Sequence, residues 1–196
     1  MFYLLFTSFS DIFENYYHQS VGIASLHYIA VGLGFFIGLQ INTFFLDRIY
    51  KKLKQRNDGV GKPEFRVPLM VPASILIPIG LLWFGWAAQA RTHWIVPDIG
   101  VCVFGIGAML SLQCSQTYII DTYQKYAASG MAASVVFRSL AGFAFPIFAP
   151  FMYEKLKYGW GNTVLALIGV VIGIPSPILF WFYGERLRKQ SPFASG

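Results

Sequence analysis

The sequence predicts an all-α fold, a polytopic membrane helix bundle with five full transmembrane helices plus a partial one. Three observations support this. Apolar runs fill residues 21–45, 67–90, 99–120, 131–153 and 163–183 of the 196-residue chain. Each is close to the ~20 residues that a helix rising ~1.5 Å per residue needs to cross ~30 Å of hydrocarbon. Charged residues make up only 12% of the chain against 56% hydrophobic, about half the charge of a soluble domain. A lipid-exposed backbone must also satisfy its own N–H and C=O groups, which forces such runs into helices.

Residues 1–9 are apolar and aromatic, and the partial helix they open, 1–11, is too short to cross. They read as the outer half of a helix or as a short amphipathic or re-entrant segment, and polar residues from Asp11 to Ser20 end them. The span 21–45 carries Gly34 and Gly38, and the span 163–183 repeats that spacing at Gly169 and Gly173. Small residues let helix backbones approach closely in lipid, so packing is the plain reading. Residues 46–66 form the substantial hydrophilic loop, with a turn signal at Asn57-Asp58-Gly59 and Pro63 and Pro68 at the entry to the next span. Trp83, Trp86 and Trp94 gather near the end of that span, where indole rings favour the interface. Pro97 opens the third span at a helix-start position. Pro146 and Pro150 interrupt the fourth span and Pro175 and Pro177 the fifth, which suits moving helices as well as static bundles.

Charge placement sets the orientation. Seven of the fifteen Lys and Arg residues lie in 46–66, and Arg186, Arg188 and Lys189 close the chain. Four crossings separate the two groups, an even number, so they share a side. The positive-inside rule makes that side cytoplasmic. The net charge of +6 therefore points to a membrane surface and not to nucleic acid. The N-terminus has no basic n-region or small-residue cleavage site, which argues against a secretory signal.

Polar interruptions mark candidate sites. Gln113, Gln116 and Thr117 share one face of the third span, with Asp121 continuing it and Tyr118 beside it. Such a stripe faces protein or water, serving either a substrate or proton pathway or helix–helix hydrogen bonding. Arg138 lies about two turns inside the fourth span, ~10 Å along a helix. An ionised group there costs a few kcal/mol unless paired or hydrated, on the order of +2.5–3.5 at a helix centre. It either pairs with Asp121 or gates a passage, or it snorkels to the headgroups. Cys102 and Cys114 read as small hydrophobes and His27 as a packing residue. No metal-ligand spacing, nucleophile motif or phosphate loop occurs, so the sequence calls for no enzyme activity and no cofactor.

Several short motifs resemble the C-terminal half of fungal major facilitator superfamily transporters of the twelve-helix drug:proton antiporter branch. Gly-Lys-Pro-Glu-Phe-Arg at 61–66, which includes Glu64 and Arg66, is similar to the segment before helix nine. Tyr118-Ile-Ile-Asp121-Thr-Tyr123, Ala127-Ala-Ser129, Ala132-Ala133, Phe137-Arg138-Ser139 and Phe145-Pro146-Ile-Phe148 resemble its helix-ten to helix-eleven signature. Gly159-Trp160-Gly161 resembles the turn before helix twelve. Leu46-Asp47-Arg48 with Lys51-Lys52 resembles the C-half echo of the family's loop motif, with Thr43 and Tyr50 standing where that motif has glycines.

The resemblance implies part of helix seven plus helices eight to twelve of a two-bundle transporter with a central cavity opened alternately to either side. It implies proton-coupled export of small organic compounds or drugs, mostly apolar or cationic, across what is expected to be the plasma membrane. Gln113, Gln116, Tyr118, Asp121 and Arg138 would contact substrate or gate the inner mouth, with Tyr3, Phe6 and Phe9 adding aromatic wall. Asp47 would sit against a helix N-terminus of the other half. The alternative is a split or truncated, non-transporting bundle that needs a partner half.

Overall fold

The computed structural model describes Phe9 and residues 12–191, and the described residues form helices and turns without a strand. A short π-helical turn at Ile12–Tyr16 leads into α1 (Val21–Leu26) and α2 (Tyr28–Arg56). A 3-10 segment at Pro63–Leu69 runs directly into α3 (Met70–Gln89). Next come α4 (Ile95–Tyr123), a 3-10 turn at Gln124–Tyr126, α5 (Ala127–Gly173) and α6 (Pro175–Gln190). Proline sets the starts of two of these, in the first turns at Pro63 and Pro175, where no intrahelical N–H is needed.

Among the described residues, four continuous helical runs are long and apolar enough to cross a membrane: Val21–Arg56, Pro63–Gln89, Ile95–Ala144 and Phe151–Gln190. The 47 residues of α5 would reach ~70 Å as one rod, but helical geometry fails at Lys157 (φ 58, ψ 175) and the chain turns there. Contacts give the directions. One cavity is lined by Ala108 to Gln116 of α4 and by Ser134 to Gly142 of α5, and Gly130 meets Ile119 and Tyr123 at the turn, so 127–156 runs back along α4. After Lys157, Gly159 meets Gln89, Thr163 meets Trp86 and Gly173 meets Ser74, so 158–173 runs antiparallel to α3. Five crossings result, with alternate ends together. One end, here the basic end, gathers Asp47, Arg66, Asp121 and Arg188. The other, the far end, gathers Gln19, His27, Trp86, Asp98 and Thr163.

Glycines make the central crossings close. A Cβ on Gly34 would run into the Cys102 carbonyl, and one on Gly38 would lie 2.9 Å from the Ile106 carbonyl oxygen. The small-residue pair in the first span therefore seats α2 on α4, as packing in lipid requires. Gly173 differs, since a Cβ there would meet only Ser74 at an ordinary 3.7 Å. Two apolar cores follow the two ends. Phe9, Phe13, Val31, Phe84, Phe104 and Leu165 build the far one. Leu46, Val67, Met70, Leu110 and Cys114 build the other. Elsewhere large apolar side chains point outward, Phe137 and Phe143 each 75% exposed, as lipid-facing positions do.

Several expectations change. Residues 46–56 continue α2 as helix, so the hydrophilic loop narrows to 57–62. The reason is chemical: Lys, Arg, Leu and Gln are good helix formers, and the turn waits for Asn57-Asp58-Gly59. Phe9 is no cavity wall but is fully buried, its ring 4.8 Å from that of Tyr28 and 5.8 Å from that of Phe84. The expected partial helix, with Tyr3 and Phe6, otherwise lies outside the described residues.

Candidate functional site

Two features join at the candidate site: an ionic clasp at the basic end and a cavity above it. Arg66 is the centre of the clasp. The 3-10 segment carries it from the loop into α3, between the ends of α2 and α4. Its Nε donates to Asp121 Oδ2 at 2.9 Å and one Nη donates to Asp47 Oδ1 at 2.9 Å. The planar guanidinium suits two carboxylates at once, and its Cζ also lies 4.5 Å from the centre of the Tyr50 ring. Two residues before it, Glu64 is buried, with one oxygen 3.5 Å from an Arg188 Nη on α6. Lys62 donates to Glu185 at 2.7 Å. One hexapeptide, 61–66, thus ties the basic ends of α2, α4 and α6 together.

Part of the predicted stripe belongs to this clasp. Asp121 takes Arg66 as its partner and not Arg138, because Arg66 arrives at the same depth while Arg138 stands on another wall. Asp47, expected against a helix of another half, also accepts from Arg66 within this chain. Tyr118 faces α6, its ring 5.2 Å from that of Phe180 and its hydroxyl beside Gly184 and Glu64. Arg48, Lys51 and Lys52 lie on the last turns of α2 and form none of these bonds; Arg48 and the two lysines are solvent-facing positions at least in part.

The cavity, about 640 Å³, lies between α4 and α5. Phe35, Ile77, Phe104, Met109 and Leu112 make its walls apolar, while Ser111, Ser115, Gln116, Ser134 and Arg138 add polar groups. Gln116 and Arg138 of the predicted set meet here. Gln113 does not line it; its backbone carbonyl accepts from the Thr117 hydroxyl at 2.9 Å. Arg138 is exposed and has no ion pair among the described residues. A second cavity, between α3, α4 and the last crossing, shares Ile77, Ser111 and Ser115 with the first. At the turn that joins 127–156 to α4, Gly130 meets Ile119 and Tyr123. The side chains of Phe145, Pro146 and Phe148 in the helix-eleven signature lie outside the described residues.

Sequence reasoning missed the polar group at the far end. His27 Nδ1 lies 2.7 Å from Asp98 Oδ2 and Nε2 lies 2.8 Å from Gln19 Oε1. Tyr17 stands beside it, and burial pushes its phenol above the ordinary range, helped by the Asp98 charge and opposed by Thr92. His27 and Asp98 are 71 residues apart, and only the α2–α4 crossing brings them together.

A profile of the Major Facilitator Superfamily matches residues 1–146. The chain belongs to that family. It is 52% identical over 194 residues to the efflux pump vrtL of Penicillium aethiopicum, covering 99% of this chain and 38% of the relative. It is 45% identical to the MFS-type transporter oryF of Aspergillus oryzae, covering 96% of this chain and 39% of the relative. It is 48% identical to the MFS-type transporter atr4 of Stereocaulon alpinum, covering 96% and 34%. The chain thus spans less than two fifths of the length of these curated relatives. No solved structure matches it. Membership agrees with the multi-pass helical bundle described above.

Proposed function

We propose that the chain is the second half of an alternating-access exporter of small organic compounds, driven by protons, with its basic end in the cytoplasm. The observation that carries this reading is the apolar cavity holding Gln116 and Arg138 directly above the Arg66 clasp. Apolar walls with few polar anchors are how pockets hold drug-sized molecules. The clasp acts as the inner gate: broken, it lets the basic ends of α2, α4 and α6 part. Arg138 is the charged group among the described lining residues, with no carboxylate beside it. The cavity wall therefore favours neutral or anionic cargo over the cationic compounds expected from the family resemblance.

The test is efflux from cells expressing the chain, loaded separately with an anionic and a cationic fluorescent dye. Arg138→Ala should lower anionic dye efflux at least tenfold, and Asp121→Asn should lower efflux of any dye carried. Equal efflux by both variants and the unaltered chain would remove these roles. A second reading, that the bundle acts only beside a partner half, is favoured by the share of its relatives that it spans. A chain that is a stable 22.0 kDa monomer in detergent and exports dye when reconstituted alone into liposomes would refute it.

A further inference from the structure

We propose that His27, Asp98 and Gln19 form a proton-binding latch that holds the segment before α1 and the start of α4 against the top of α2. The site is separate from the cavity and does not depend on transport. His27 is 7% exposed, and its ring stacks on Phe13 at 3.8 Å and 10° between planes. Both ring nitrogens face acceptors: the Asp98 carboxylate at 2.7 Å and the Gln19 amide oxygen at 2.8 Å. A neutral imidazole offers one N–H and one lone pair, so only the imidazolium donates to both. A buried cation needs a counter-charge. Asp98 supplies one from the first turn of α4, where the helix dipole favours an anion. Its other oxygen is buried with no hydrogen-bond partner, so the carboxylate is directed chiefly at His27.

The surrounding elements add few competing charges. Tyr17 and Thr92 lie on the Asp98 side. Trp94 meets the imidazole edge-on at 5.6 Å, and His93 meets Trp94 at 5.1 Å. The position also explains how a proton would be felt. His27 is the joint between α1 and α2, where its N–H reaches back to Ala24 and its carbonyl accepts from Ala30. When the ring loses its proton to water, Nε2 becomes an acceptor facing an acceptor. Gln19 must then turn or leave, and the segment 12–26 loses its tie. Protonating Asp98 instead leaves the imidazolium without its counter-charge and opens the latch from the other side.

Nitrogen NMR of the 15N-histidine-labelled full chain in lipid nanodiscs tests this, with His18→Gln and His93→Gln isolating His27. At pH 7 both ring nitrogens should be protonated, and Asp98→Asn should leave one bare. A bare nitrogen in the unaltered ring at pH 7 would overturn the proposal, because Gln19 would then be donating its NH2. An unchanged spectrum in Asp98→Asn would overturn it as well. Amide exchange of residues 12–28, corrected for intrinsic pH dependence, should rise at least tenfold as His27 deprotonates. The swap His27→Asp with Asp98→His should restore protection that Asp98→Asn loses. Exchange that stays flat through the titration would show a packing contact only.

Discussion

Arg66 shows how one side chain sets several others. It is mostly buried, with 16% of its side chain exposed, and bonds to Asp121 at 30% and Asp47 at 67%. Hydrogen bonds to charged groups contribute about 1.5–3 kcal/mol where solvent is excluded, and exposed pairs about 0–1. Arg66→Gln should therefore lower the melting midpoint in detergent most, Asp121→Asn less and Asp47→Asn least. Lys62→Ala, which removes a pair more than a third exposed on both sides, should change it little. A larger loss for Asp47→Asn than for Asp121→Asn would reverse the assignment. The residue types were legible from the sequence: Asp47, Glu64, Arg66 and Asp121 stood out as motif positions. Their pairing was not, because the bonds join positions 19 and 55 residues apart and need the crossing of three helices. Arg138 drew attention as a charge inside an apolar run near Asp121, yet it is Arg66 that bonds to Asp121.

At the scale of the helix, hydropathy marked the apolar runs of the described helices but misjudged where α2 ends. It reports where the chain is apolar, and it is silent about helices that continue into water, as α2 does through Arg56. The break at Lys157 falls in the interval between the runs 131–153 and 163–183. The Gly34/Gly38 pair was legible because spacing alone implies a flat face, whereas Gly173, in the repeat of that spacing, meets only Ser74 at ordinary distance. Gly34→Leu should push α2 off α4, since the Cys102 backbone occupies the space, at a cost of several kcal/mol or outright misfolding; overpacking alone typically costs ~1–3. Gly32→Leu, where nothing lies within 4 Å, should be tolerated. Thermal stability of the two in detergent checks this, and equal losses would mean that the crossing is not where close approach matters.

For the whole molecule, family and topology agree: five crossings among the described residues, a basic end tied by ion pairs, and a cavity beside the fourth crossing. The apolar exterior, with Phe137, Phe143 and Phe182 each at least 73% exposed, is suited to lipid. The far-end latch stayed hidden in the sequence because a lone histidine in an apolar run is indistinguishable from packing until its partner is known. The cavity stayed hidden because it depends on how far 127–156 stands from α4, a distance that no periodicity encodes. What decides the functional reading is whether water reaches that space. With Cys102 and Cys114 replaced by Ala, Gln116→Cys and Arg138→Cys should react with a membrane-impermeant thiol reagent applied to the basic side in liposomes, while Phe84→Cys, in the far core, should not. If Gln116→Cys and Arg138→Cys are as unreactive as Phe84→Cys, the cavity is sealed and cannot carry cargo.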